Sequence, residues 1–301
     1  MATDELGGRW KSIRDVFKAN PQFTITLIAF ISLIAAIFIF SAIFPFTGYQ
    51  YTYSFQLPNG KMVQLPLLSA PPSWDHLLGT THDGYDNLIT LINGARNSIL
   101  VGLGASGIAV PIAIVVGVFG AYKGGVIDNI LSQVTNVILV FPVIALYMLI
   151  AATIGRQSVI FVTIIIGAVT WPWAARSIRS QVLSLKERDF VNLARVTGEK
   201  GWKIAITEIL PNMLSYVILV VAIEMVIAIT TEAALAMIGV GQTDIITLGR
   251  MLQWSLQWTE VPNDYYWLWL PPGIVVLILL IMIYVLQGSM PQIFNPRLRE
   301  K

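Results

Sequence analysis

The chain has 301 residues, of which 55% are hydrophobic and 12% are charged, with a formal net charge of +2. Soluble domains average about 25% charged residues, so this composition indicates a membrane protein. The near-neutral charge gives no indication of nucleic-acid binding, and the absence of cysteine excludes disulfides and cysteine catalysis. The two histidines, His76 and His82, are too few for a histidine metal cage.

Six segments are long enough to cross a bilayer, which takes about 20 apolar residues in a helix. They are 22–45, 97–121, 129–154, 158–182, 212–238 and 268–288. The first follows a polar leader and has no cleavage pattern, so it is expected to be a retained span. The sequence therefore predicts an all-α integral membrane protein with six transmembrane helices.

The distribution of lysine and arginine predicts the orientation of these spans. With the N-terminus in the cytoplasm, 15 of the 19 basic residues lie inside and 4 outside. This bias predicts that both termini are cytoplasmic. The predicted division is a cytoplasmic segment 1–21, a first span 22–45, an extracytoplasmic loop region 46–95, a five-helix core 96–289 and a cytoplasmic tail 290–301. The core includes a cytoplasmic loop, 186–211.

The second span carries small residues at four-residue spacing. They are Ala105, Ala109, Ala113, Gly117 and Ala121. This spacing makes a flat stripe where another helix can approach closely. We predict tight helix packing, and the alternative is a hinge at Pro111.

Polar side chains within the third and fifth spans are candidates for a translocation path, because amides and carboxylates are costly in lipid. The candidates are Asn129, Gln133, Asn136, Glu224, Thr231 and Glu232. The amides could instead bond a neighbouring helix. Glu224 is expected to face a water-filled path or a partner subunit, and Glu232 to bind a neighbour near the outer end. An ion relay through the two glutamates is the alternative.

The segment 186–211 is charged, with 9 charged residues among 26, although it lies between two apolar spans. Phe190, Leu193, Ala194 and Thr197 fall on one stripe of a short amphipathic helix. Gly198 then interrupts the pattern, as a glycine after a helix C-cap does. The pattern predicts a helix, a glycine turn and a second helix that protrude to be gripped by a partner. The alternative is an interfacial helix lying on anionic lipid.

This segment resembles the EAA loop of ABC-importer permeases, in particular the dipeptide, oligopeptide and nickel group. The matching residues are Leu185-Lys186-Glu187, Phe190-Val191, Ala194, Gly198 and Leu210-Pro211-Asn212. Asn192 and Leu193 stand where the family usually has Glu and Ala. Other matching stretches are Leu78-Gly79-Thr80 with Asp83-Gly84 and Asp86, Gly94-Ala95-Arg96-Asn97-Ser98, Thr231-Glu232-Ala233-Ala234-Leu235, Pro271-Pro272-Gly273 and Asn295-Pro296-Arg297-Leu298-Arg299.

The resemblance implies one permease subunit of an importer, without a catalytic or metal site of its own. It implies a second homologous permease, two cytoplasmic ABC ATPase subunits that bind ATP and Mg²⁺, and an extracytoplasmic substrate-binding protein, in a prokaryotic plasma membrane. This chain has no G-x-x-x-x-G-K-[ST] motif with which to bind ATP. The residues expected to couple to the ATPases are Lys186, Glu187, Arg188, Asp189, Phe190, Val191, Asn192, Ala194, Arg195, Gly198, Leu210 and Pro211.

The sequence indicates the type of transporter more closely than it indicates the substrate. The resemblance favours short peptides, and the same group also carries oligosaccharides or nickel. Aromatic residues crowd the predicted outer edge: Trp254, Trp258, Tyr265, Tyr266, Trp267 and Trp269. They are expected to form an interfacial belt. A stacking surface for sugars is the alternative.

Overall fold

The computed structural model describes residues 20–57, 61–154, 158–240, 244–257 and 265–294. The elements in the first half are α1 (Pro21–Ile43), β1 (Thr52–Gln56), β2 (Met62–Pro66), α2 (Asn87–Ile114), α3 (Gly125–Val140) and α4 (Val143–Ile154). Those in the second half are α5 (Val159–Leu185), α6 (Asp189–Val196), α7 (Gly201–Ile204), α8 (Leu214–Met237), α9 (Leu248–Gln257) and α10 (Tyr266–Phe294). Helix α2 continues through a π-helical turn, Val115–Phe119, to Lys123, and α7 continues through a second one, Ala205–Ile209, to Asn212.

Among the described residues, five helices are long and apolar enough to cross a membrane by themselves. A sixth span results if α3 and α4 are counted together, although they are bent by 83°. The third span predicted over 129–154 is therefore not one straight helix. Pro142 explains the break, because proline lacks the amide hydrogen and its ring disfavours helical backbone in the residue before it.

Helix α2 begins ten residues before the predicted span, at Asn87 rather than residue 97. Asp86 caps it, because its side chain accepts a hydrogen bond of 3.0 Å from the Ile89 amide. The loop region predicted to reach residue 95 is correspondingly shorter. It also contains an antiparallel β1–β2 hairpin that the sequence analysis did not predict, with Thr52 opposite Pro66 and Gln56 opposite Met62.

The centre of the bundle is formed by α2, α5 and α8, which approach closely at glycines. A methyl group at Gly167 would lie 2.6 Å from the Ala105 carbonyl oxygen, and one at Gly102 would lie 2.7 Å from that of Met225. The whole stripe from Ala105 to Ala121 is buried. The prediction of tight packing is confirmed, since only small side chains permit such backbone contacts.

The bundle has two distinct ends. We call the end that carries β1, β2 and α9 the hairpin end, and the end that carries α6 and α7 the coupling end. At the hairpin end, the Asn97 side chain of α2 donates a hydrogen bond of 2.8 Å to the carbonyl of Ile246, which precedes α9. At the coupling end, Lys186 Nζ donates 3.3 Å to the carbonyl of Ala121. The membrane spans therefore hold these two polar regions apart.

Candidate coupling surface and translocation face

Helix α6 is delimited by local hydrogen bonds as the sequence predicts. Gly198 has a φ of +80°, which glycine adopts without the steric cost that other residues meet. Its amide donates 3.1 Å to the carbonyl of Arg195, and the Glu199 amide donates 3.2 Å to that of Ala194. These two bonds form a Schellman motif. The prediction that Gly198 terminates the helix is confirmed.

One face of α6 is fixed to the bundle. Val191 is completely buried in the apolar cluster that also contains Val182 and Ile204, and Phe190 and Ala194 pack against this cluster. Arg195 Nη2 donates 3.1 Å to the Lys186 carbonyl, and its guanidinium lies 5.8 Å from the centre of the Tyr122 ring. The orientation of α6 is therefore tied to the ends of α5 and α2.

The opposite face of α6 exposes apolar side chains. Leu193 is 67% exposed, Val196 is 86% exposed, and Trp202 at the start of α7 is 59% exposed. The predicted stripe is thus divided: Leu193 and Thr197 face outwards, while Val191, outside that stripe, is buried. The reason is that α6 packs on the bundle through Phe190, Val191 and Ala194. Tertiary contacts therefore bury this face, and the face that carries Leu193 and Thr197 stays exposed.

The remaining residues predicted to couple to the ATPases lie on α6 or in the segments next to it. Glu187, Arg188, Asp189 and Asn192 are exposed. Asn192 accepts a hydrogen bond of 3.0 Å from Arg195, so it orients that guanidinium within α6. Leu210 is half-buried and Pro211 is exposed, in the helical segment that continues α7 towards α8.

A polar surface lies on α3 and the second half of α5. Arg179 binds Asp128 through two hydrogen bonds of 2.7 Å, and Arg176 donates 2.7 Å to Asn136. They border an open cavity of about 380 Å³ that Asn129 and Gln133 also line. The three amides of this surface were predicted from the sequence, whereas Asp128 was not. Its position one residue before Asn129, on the same helix as the other polar residues, is the signal that could have identified it.

The three candidates on α8 lie elsewhere. Glu224 is completely buried beside Thr170 and the backbone of Ala174, but neither carboxyl oxygen makes a hydrogen bond of standard geometry with a described residue. Thr231 is half-buried. Glu232 is buried and accepts a hydrogen bond of 2.7 Å from the Thr247 hydroxyl. That hydroxyl in turn accepts a hydrogen bond of 3.1 Å from the Arg250 amide. The structure therefore places Glu232 in a contact between α8 and the start of α9, and none of the three lines the cavity beside Asp128.

At the hairpin end the two histidines are separated into different contacts. His76 Nδ1 lies 2.9 Å from Asp86, and His82 Nε2 lies 3.1 Å from Asp83. The His82 ring also packs edge-on against Trp254, with ring centres 5.1 Å apart. Trp254, one of the residues of the predicted aromatic belt, borders a cavity near Arg96 and Arg250. Trp258, like Gly241 and 295–301, lies outside the described residues.

Comparison with known proteins agrees with this architecture. "Oligopeptide transport system permease protein OppC" of Mycobacterium bovis is 31% identical over 215 residues, covering 70% of this chain and 73% of the relative. The protein of the same name from Lactococcus lactis subsp. cremoris is 27% identical over 251 residues, covering 82% and 85%. A chain of the MetNI methionine ABC transporter in inward-facing conformation superposes with a TM-score of 0.53 at 16% identity, covering 69% of this chain and 95% of that one.

The superposition concerns the fold alone, because the identity is low. The family described as "Binding-protein-dependent transport system inner membrane component" matches residues 109–300. That range contains α3 to α10, with both the polar surface and α6. The chain is therefore a member of the family of inner membrane components of binding-protein-dependent transport systems.

Proposed function

We propose that this chain is one of two permease subunits in an ATP-driven importer of short peptides. A second homologous permease completes the pathway, two cytoplasmic ABC ATPase subunits bind ATP and Mg²⁺, and an extracytoplasmic binding protein delivers the peptide. The chain itself carries out no hydrolysis. It lies in a prokaryotic plasma membrane with both termini and the coupling end in the cytoplasm, which the distribution of basic residues supports.

The observation that carries this proposal is the exposed apolar face of an anchored helix. Leu193 and Val196 project from α6, while Val191 fixes its other side to the bundle. Apolar side chains grouped in water and rimmed by charges are typical of a protein interface. Three exposed charged residues, Glu187, Arg188 and Asp189, lie at the start of the same helix. A partner that grips this face can move the membrane helices, because α6 is held to them by specific contacts.

Helix α5 provides the path for that movement. It carries Arg176 and Arg179 on the polar surface and ends at Leu185, four residues before α6 begins. The Lys186–Ala121 bond connects the same region to α2. Displacement of α6 by an ATPase would therefore be transmitted to the side chains that border the cavity.

The polar surface is the proposed translocation face. Asn129, Gln133 and Asn136 are exposed on the isolated chain, and such groups face water or protein rather than lipid. A second permease placed opposite them would enclose an aqueous path between the two chains. The named relatives favour peptides as the cargo. An ion relay is not favoured, because Glu232 is engaged by Thr247 and Glu224 does not reach the cavity.

The test is to purify the tagged chain from its native membrane and to identify its partners by mass spectrometry. Wild-type chain should recover a second six-span protein and P-loop ATPases, and the complex should import labelled tripeptides in proteoliposomes that contain ATP. The substitutions Leu193→Asp and Val196→Asp should each abolish recovery of the ATPases, since a charge would replace an apolar contact.

The matched control is Leu77→Asp, which places the same charge at an exposed leucine of the hairpin end. It should leave ATPase recovery unchanged. Full ATPase recovery with both α6 variants would contradict the proposed coupling surface. Recovery of the intact wild-type chain alone, together with uptake driven by an ion gradient, would contradict the importer.

A further inference from the structure

The hairpin end contains a second cavity, of about 380 Å³, that the coupling and translocation surfaces do not include. It lies between the first turns of α2, the segment before α9, and the chain that leaves α1. Phe46, Arg96, Arg250 and Trp254 are among its lining residues. Its volume falls within the range of about 300–1,000 Å³ that is usual for small-molecule sites.

The walls of this cavity are held by side-chain hydrogen bonds. Asn93 donates 2.9 Å to the carbonyl of Phe44, and Asn97 donates 2.8 Å to that of Ile246. Both carboxyl oxygens of Asp244, at 3.1 and 3.2 Å, accept from the amide of Val159 at the start of α5. The cavity therefore joins three separate parts of the chain, and these side-chain hydrogen bonds hold them together.

The cavity presents two guanidinium groups that no carboxylate neutralises among the described residues. Arg250 donates 2.6 Å to the neutral Gln253 and lies 5.6 Å from the centre of the Trp254 ring. Arg96 is exposed and has no hydrogen-bond or ion-pair partner in the described part of the chain. The one acidic lining residue, Asp244, accepts hydrogen bonds from the Val159 amide and forms no ion pair with a described residue. Two arginines against one aspartate leave the lining with a formal charge of +1. The cavity is consequently suited to an anion.

The chemistry of the lining favours a carboxylate attached to an apolar group. Guanidinium groups bind carboxylates through paired hydrogen bonds that fix direction as well as charge. Phe46 and Trp254 provide aromatic surface beside them. A peptide that ends in a free carboxylate and an apolar side chain satisfies both features, whereas a neutral sugar would satisfy only the aromatic surface.

We propose that this cavity binds the C-terminal carboxylate of a short peptide at the extracytoplasmic entrance of the pathway, with Arg96 as the principal ligand. The inference rests on the proposed function, since it requires a peptide as cargo. Arg250 supplies the second cation, and the aromatic pair holds the terminal side chain. The site would orient the peptide with its carboxyl end against this subunit before it enters the membrane.

The test uses a photoreactive tripeptide, Ala-Ala-p-benzoylphenylalanine, as the free acid and as the C-terminal amide. Each is irradiated with the assembled transporter in nanodiscs, and labelled residues are mapped by mass spectrometry. The free acid should label 244–257, and unlabelled Ala-Ala-Phe should compete. The amide should label this segment at least about tenfold less, because a charge-assisted contact is lost.

Arg96→Gln should reduce labelling by the free acid about tenfold and leave the amide unchanged, and Arg96→Lys should retain part of the signal. The matched control is Lys61→Gln, which removes a cation at the same end but outside the cavity. Equal labelling by acid and amide, labelling elsewhere only, or no effect of Arg96→Gln would overturn the inference. ATP-driven tripeptide uptake by the same wild-type preparation shows whether the proposed function stands independently.

Discussion

The turn at Gly198 provides a direct test of how the coupling helix is positioned. Its φ of +80° lies in the left-handed region, and a side chain added there would meet no atom within 4 Å. The cost of Gly198→Val is therefore conformational rather than steric crowding by neighbours. A residue with a β-carbon loses about 1–2 kcal/mol in this region, and a β-branched residue is less tolerated still.

A penalty of this size changes the equilibrium ratio of correctly placed to displaced α6 about five- to thirtyfold, since 1.4 kcal/mol corresponds to a factor of ten. We expect Gly198→Val to insert into the membrane at normal levels. Peptide uptake in proteoliposomes, and the stimulation of ATPase activity by the loaded binding protein, should fall about tenfold. Both are measured on the assembled transporter at matched protein amounts.

Two variants control for this change. Gly198→Asn should retain most uptake, because asparagine is tolerated in left-handed backbone. Gly107→Val makes the same substitution where added atoms also meet nothing within 4 Å but the backbone is helical, and it should not uncouple transport. Wild-type uptake by Gly198→Val, or equal losses in Gly198→Val and Gly107→Val, would refute the argument.

Three further predictions concern other parts of the molecule. Glu224→Gln should preserve uptake, because the buried carboxyl group makes no hydrogen bond of standard geometry with a described residue and the amide has nearly the same volume; complete loss of uptake in a folded variant would instead support an ion relay. Gly249→Val should lower the melting temperature in detergent, with a cost of about 1–3 kcal/mol, because its β-carbon would lie 2.5 Å from the Ala233 Cα; Gly273→Val, where the space is open, should not. Burial lowers the pKa of His82 from 6.5, with Arg250 acting in the same direction and Asp83 opposing. The unfolded chain therefore binds the proton more readily, so stability should fall as the pH drops through and below 6.5; His82→Gln should weaken this loss between pH 7 and 5, and an unchanged pH profile would contradict the assignment.

The spans and the coupling element could be predicted from the sequence because their causes are local. A long apolar stretch indicates a membrane helix whatever it packs against. The turn after α6 depends on one residue, a glycine that adopts a positive φ. The family assignment also rested on ordered motifs such as Lys186-Glu187 and Leu210-Pro211. The predicted stripe on α6 was wrong in part, because several faces of a short helix are similarly apolar and only packing against the buried cluster of the bundle selects one.

Other features depend on residues far apart in the chain, and only the tertiary structure decided them. The first turn of α2 is held by the Asn87 side chain, which donates a hydrogen bond to the Trp267 carbonyl, 180 residues away. The Asp128–Arg179 ion pair joins groups 51 residues apart. The cavity at the hairpin end brings together Arg96 and Arg250, and no sequence pattern predicts that these two residues meet. Periodicity reports which face of a helix is apolar, whereas long-range packing determines which polar groups meet.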